Sequence, residues 1–261
     1  MHRVLPALLC TAPLLACSTQ SSEAPGSDAP DATASHDRDD GGHGHGGATH
    51  GHGHHGGGDH GDNGHGYKGH RFEDPQDWVD HFESPEREAW QKPDAVVAKL
   101  APARDAKIAD LGAGTGYFAV RFAAAAPAGQ VFAVDIEPGM VEYIDARAER
   151  DGLTNLAAHL GQPDGPALPE PVDLAFMCDV FHHLADPQAY FEAVAGSLRE
   201  GGRVAIVDFR KQLPDDAPGP PEAMRMSADA IVEIMEAAGY ALVGRELELL
   251  EYQYLLVFER A

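Results

Sequence analysis

Apolar and polar positions divide this chain at about Arg71. Before that point there is one apolar run, Val4 to Ala16, and then a long stretch of Gly, His, Asp, Ser and Ala with almost no large apolar residue after Leu15. Such a stretch cannot bury a core, so disorder is expected there. From Phe72 onward the apolar positions are periodic. Two short helices are predicted first, "DPQDWVDHF" and "SPEREAWQKPDAVVAKL", and strands then alternate with helices. Strand "KIADLG" leads to helix "GYFAVRFAAAA", strand "QVFAVDI" to helix "PGMVEYIDARAERDG", and strand "LAAHLG" to a Pro-rich loop. Strand "VDLAFMCDV", helix "DPQAYFEAVAGSLRE" and strand "GGRVAIVDF" follow, then helix "SADAIVEIMEAAGY" and the strands "ALVGRELEL" and "YQYLLVFER". Alternation of this kind predicts an α/β domain, a doubly wound Rossmann-like sheet with helices on both faces. The connection between the last two strands is too short for a parallel crossover, so they should pair antiparallel at one edge.

Composition sharpens the division. The 261 residues fall into residues 1–16 as a signal segment, 17–71 as a tether and 72–261 as one globular domain large enough to stand without staples. From Phe72 onward, 15 Lys and Arg face 34 Asp and Glu, part of a net charge of −23. A basic footprint for DNA or RNA is missing, so no nucleic-acid partner is expected. Of three cysteines, Cys10 and Cys17 belong to the N-terminal segment, which leaves Cys178 alone in the domain and permits no internal disulfide.

The N-terminus "MHRVLPALLCTAPLLAC" has a short basic start and an apolar run of secretory dimensions, too short to anchor by spanning a bilayer. Leu14-Leu15-Ala16-Cys17 resembles the lipobox of bacterial lipoproteins. The resemblance implies cleavage before Cys17, acylation of its sulfur, and a chain held to the membrane of a bacterial cell envelope on its extracytoplasmic side. If the signal is not used, the protein is cytoplasmic. Ten of the 15 histidines lie between His36 and His70, among them His43, His45, His50, His52, His54 and His55. Imidazoles spaced by glycine suit weak, heterogeneous binding of Zn, Ni or Cu, and a plain flexible spacer fits the same composition.

The candidate chemistry lies in "DLGAGTG", Asp110 to Gly116. A dinucleotide fingerprint started at Gly112 needs glycine at position 117, where Tyr117 stands. The segment resembles the first motif of class I S-adenosylmethionine (SAM) methyltransferases, which also end in an antiparallel final strand. SAM carries no pyrophosphate, so the loop has to accept a carboxylate and a ribose beside a sulfonium. Gly112, Gly114 and Gly116 permit close backbone approach, and the N–H groups around Ala113 and Thr115 can meet the carboxylate. Asp110 offers negative charge to the methionine ammonium. Asp135 in "FAVDIEP" is placed like an acid that binds a ribose diol, with Ile136 against the adenine.

Further on, "GQPDGPALPEPVDLAFMCDVFHHLADP" and "LREGGRVAIVDF" resemble the ubiquinone/menaquinone-biosynthesis type of small-molecule methyltransferase. There a strand ends beside the methyl group and "HHL" opens the next helix. Where that family has Gly-Asp, this chain has Gly161-Gln162, and Asp164 is the candidate substitute at the adenine amino group. Methyl transfer needs alignment first and a base only for a protonated acceptor. Asp179, His182 and His183 are the catalytic candidates, with Asp179 also a candidate for lining the SAM site; helix capping and packing are the competing roles of the histidines. Tyr252 and Tyr254 share a sheet face and should pack in the core, and Cys178 reads as a buried strand thiol. Two functions stay open: a methyltransferase of a small-molecule acceptor, and a non-catalytic ligand- or metal-binding lipoprotein on the same fold.

Overall fold

The computed structural model describes residues 75–261. The signal segment, Cys17 and the histidines from His43 to His55 lie outside the described residues.

Among the described residues three helices precede the sheet, α1 (Gln76–Phe82), α2 (Pro85–Gln91) and α3 (Pro93–Leu100), where two were expected. The break falls at Lys92, which is left-handed (φ 46°) because Pro93 excludes the preceding residue from helical torsions and has no N–H to continue the ladder. Ser84 caps α2 by accepting the Arg87 N–H at 3.1 Å, which fixes the first turn from which Arg87 projects.

The sheet comprises β1 (Lys107–Leu111), β2 (Gln130–Asp135), β3 (Leu156–Leu160), β4 (Val172–Cys178), β5 (Leu198–Phe209), β6 (Tyr240–Glu246) and β7 (Gln253–Arg260), in the order β3-β2-β1-β4-β5-β7-β6. The first five are parallel. β7 is antiparallel to both β5 and β6 and lies between them, so the expected antiparallel pair sits at the edge with its later strand inward.

Helices α4 (Ala119–Ala125), α5 (Pro138–Asp151), α6 (Pro187–Ala195) and α7 (Ala228–Ala237) cover the two faces. Phe176 of β4 packs against Phe118 and Phe122 (centroids 4.7 and 5.0 Å) on one face, pairs worth about 0.5–1.5 kcal/mol each beyond their burial. Met177, the next residue, joins Phe191, Ile231 and Met235 on the other, as the period-2 alternation of a doubly covered strand requires.

Two boundaries differ from expectation. The segment "SLRE", read as the end of α6, enters β5 instead: Gly196 closes the helix and Leu198 pairs with Val172. His182 and His183 do not open α6. They form a separate 3-10 turn, Phe181–His183, and α6 begins at Pro187 behind the Asp186 cap, whose side chain accepts the Ala189 N–H.

Candidate active site

The strand order reverses between β1 and β4, and the crevice at the carboxyl ends of the strands there is the site such sheets offer to ligands. A cleft of about 540 Å³ opens at this point, within the range of small-molecule sites.

Its first half is built by the loop after β1. The N–H groups of Gly112 and Ala113 both donate to the Val134 carbonyl (2.8 and 2.9 Å), tying the loop down onto β2. Gly112 has φ 75°, and a Cβ there would overlap the Val180 side chain, so the residue is required by torsion and by space. The Gly114 N–H donates to Asp135 Oδ2 (2.8 Å) and the Glu137 N–H to Asp135 Oδ1 (3.0 Å), which fixes the carboxylate at the end of β2. Burial raises the Asp135 pKa to about 6.

Asp110 behaves differently. Its Oδ2, Thr115 Oγ1 and the Tyr117 hydroxyl are buried with no hydrogen-bond partner among the described residues, and all three residues line the cleft. Burial, and then the charge of Asp135, push the Asp110 pKa up to about 7. Buried polar atoms without partners are uncommon, and three residues of one cleft wall carry them. Ile136, Glu137 and Met140 complete this half.

Asp164 does not reach the cleft. It lies exposed in the tight turn bridged by Gln162 and Gly165, while Gln162 itself borders a small side pocket with Ile136 and Gly161.

At the end of β4, Asp179 adopts left-handed torsions (φ 60°), a costly conformation held by its surroundings. Its carboxylate accepts from Gln253 Nε2, from Gln91 Nε2 (3.0 Å) and from Arg87 Nη2 (3.4 Å). Gln91 Nε2 also lies 3.0 Å from Cys178 Sγ and 3.1 Å from Gln253 Oε1, so its two protons are shared among three acceptors. Burial raises the Asp179 pKa to about 6 against the opposing pull of Arg87, and burial raises the Cys178 pKa well above the usual thiol range.

His182 also lines the cleft, and its Nδ1 lies 3.0 and 3.1 Å from the two oxygens of Asp208 on β5. Burial lowers its pKa, but the Asp208 hydrogen bond and charge, with the charge of Asp179, outweigh burial and leave the net shift upward. His183 lies beside it, ring centroids 4.3 Å apart, and borders the same cleft. Asp179, His182 and His183 thus meet around one space with the glycine loop.

The sequence reading missed Arg87, Gln91, Asp208, Gln253 and the aromatic wall contributed by Trp78, Phe82, Trp90 and Phe209. A signal existed for Asp208 and Gln253, since each is a polar residue abutting an apolar run, "VAIV" before Asp208 and "YLLVF" after Gln253. Tyr254 packs in the core as expected, its hydroxyl on the Met226 carbonyl, whereas Tyr252 stands ahead of β7 against Trp90.

Residues 109–204 match the family model for a methyltransferase domain. Among curated proteins, the tRNA U34 carboxymethyltransferase of Desulfotalea psychrophila is 36% identical over 102 residues, 38% of this chain and 31% of that protein. The malonyl-[acyl-carrier protein] O-methyltransferase of Methylococcus capsulatus is 36% identical over 107 residues, 40% of this chain and 38% of that one. The chain thus spans about a third of the length of these relatives. A SAM-dependent methyltransferase from Aquifex aeolicus superposes with a TM-score of 0.65 at 24% identity, covering 72% of this chain and 99% of that one. The fold is that of class I methyltransferases.

Proposed function

We propose that this chain transfers the methyl group of SAM to a small-molecule acceptor. The observation that carries the reading is the unpartnered buried carboxylate oxygen of Asp110 at the end of β1, directly before a glycine loop of methyltransferase pattern. Asp110 would take the ammonium, Asp135 the ribose hydroxyls through lone pairs its two backbone bonds leave over, and Ile136 the adenine. SAM supplies a methyl group activated by the attached sulfonium. The protein's part is to hold the acceptor in line and remove its proton.

The test is calorimetric titration of SAM into the full chain beside the Asp110→Asn and Gly114→Asp variants. Micromolar binding lost in both variants supports the assignment. A folded protein that ignores SAM would favour the alternative, a ligand-binding module on a methyltransferase fold.

The extracytoplasmic location is proposed on the sequence alone, from the lipobox-like segment ending at Cys17. Cys17→Ser should move the protein from the membrane to the soluble fraction. Weak Zn, Ni or Cu binding by the tract from His43 to His55 is proposed on the same footing, and equilibrium dialysis of the full chain with each metal tests it.

A further inference from the structure

The amino-acid usage of the chain just ahead of α1 differs from what comes before it. Between residues 17 and 66 there is no Phe, Trp or Tyr, and Arg38 is the single Lys or Arg in a stretch where acids outnumber it. Then comes Tyr67-Lys68-Gly69-His70-Arg71-Phe72, two aromatics and two fixed cations without an acid, and the described residues begin three positions later at Pro75. A spacer has no use for these residue types, whereas Tyr and Arg are among those that most often anchor a contact.

What these side chains can reach follows from where the stretch ends. Helix α1 starts at Gln76, and its Trp78 stacks on Phe82 (centroids 5.6 Å, 25°) to form part of the cleft wall. Trp90 of α2, packed on Phe209 (5.7 Å) and Tyr252 (6.0 Å), continues that wall, and both tryptophans are only partly buried. At about 3.3–3.6 Å per residue, Phe72 stays within about 11 Å of Pro75 and Tyr67 within about 29 Å. The covalent connection holds both near the Trp78 side of the cleft.

Charge favours a contact there. Glu86, Asp110, Asp135, Glu137 and Asp179 line the cleft, Glu86 being exposed. Among the described lining residues Arg87 is the single Lys or Arg. It is committed to the protein: Nε donates to Gln91 Oε1 (2.6 Å), Nη1 to the Phe82 carbonyl (3.1 Å), and the guanidinium lies over the Tyr117 ring at 4.7 Å. An acidic mouth walled by indoles suits a guest that is both cationic and aromatic, since Lys and Arg settle on indole faces and opposite charge orients the approach. A connection this short supplies an effective concentration on the order of millimolar, so even a weak contact is populated.

We propose that residues 67–72 dock in the mouth of their own chain's cleft, across Trp78 and Trp90, as an autoinhibitory contact that a guest entering past these tryptophans has to displace. The contact does not depend on which reaction the cleft performs.

The test uses the two tryptophans of the chain, both in that wall. Acrylamide quenching of their fluorescence in the full chain should rise by at least about twofold in the combined variant Tyr67→Ser, Lys68→Glu, Arg71→Glu, Phe72→Ser, as the covered population is lost. Salt at about 1 M, where the Debye length is about 3 Å, should move the native protein toward the variant and leave the variant where it is. p-Benzoylphenylalanine in place of Tyr67 or Phe72 should, on irradiation of the full chain, join to Trp90, Phe209 or the segment 218–224 of the same chain, located by mass spectrometry after digestion. The cross-link decides the matter even if the combined variant fails to fold. Equal quenching in native protein and folded variant, or cross-links that fall only within α1, on other faces of the domain or between two chains, overturns the proposal.

Discussion

His182 and Asp208 meet between the ends of β4 and β5, Nδ1 3.0 Å from Oδ1, with 3% and 0% of their side chains exposed. Asp208 also accepts its neighbour's N–H, from Phe209 at 2.7 Å, so the carboxylate is held from two sides and orients the ring. If His182 is the base, its proton must be absent for catalysis. The upward shift therefore places the acid limb of kcat above the ordinary imidazole range. Asp208→Asn should move that limb to lower pH and reduce kcat by about 10²–10⁴-fold. His182→Asn should remove the limb. A pH–rate profile of the three proteins reads all of this, and a limb that stays in place in Asp208→Asn would show that the aspartate only packs.

Cofactor affinity should depend on pH through Asp110. Its pKa of about 7 means that the free protein holds a proton there under mildly acidic conditions, with Asp135 following at about 6. Binding a cation favours the ionised forms, so SAM affinity should fall as pH drops below 7, by about tenfold per unit where one proton is displaced. Calorimetry in buffers of different ionisation enthalpy should detect the released proton.

The stability of the free protein should run the other way. The folded pKa values of Asp110, Asp135 and Asp179 are raised above the unfolded carboxylate value of 3.8. Between about pH 4 and 7 the folded state thus binds more protons than the unfolded one, and these groups contribute stability that is lost as pH rises through that window. Tm should decline from pH 5 to pH 8 in the free protein, and saturating SAM should flatten the decline. Asp110→Asn should flatten it without any ligand.

Gly112 supports a test of the loop that is separate from its chemistry. Gly112→Ala introduces a methyl group into the Val180 side chain at φ 75°, and should destabilise the domain by about 1–3 kcal/mol. Adding Val180→Ala removes the clash and leaves the torsional strain, so recovery should be partial. Full recovery in denaturant unfolding would show that space alone, and not the left-handed torsion, demands glycine.

Gln91 and Gln253 form a buried amide pair, each wholly shielded, that bonds to itself and to Asp179. Gln91→Leu or Gln253→Leu alone leaves a buried polar group without a partner and should cost about 1–3 kcal/mol. The double substitution should cost clearly less than the sum, a coupling that a double-mutant cycle measures directly.

The fold was legible because the central strand β4 is covered on both faces and reads as an unbroken apolar run, "LAFMC", and because "DLGAGTG" and "FAVDIEP" are local. The first-motif glycines lie in the loop after β1 and Asp135 ends β2 for the same reason. The polar network around Asp179 was not legible. Gln91 and Gln253 are separated by 162 positions, and a glutamine carries no mark of the partner it will find. The position of Asp164 was not legible either: nearness in sequence does not say which residue of a tight turn borders a pocket, and here Asp164 is exposed between the bridged Gln162 and Gly165. Helix α2 ended early because one proline outweighed the helical propensity on either side of it.

The position of β7 between β5 and β6 has a consequence for how the protein is made. It is the last of the seven strands to leave the ribosome, yet seven of its residues pair with β5 in the interior of the sheet. Until it arrives, β5 presents an open edge with Val204, Ala205, Ile206 and Val207 uncovered, an invitation to mispairing. Closure of the sheet is therefore a late, long-range event. A chain of this topology completes its sheet only after the last of these strands has been made.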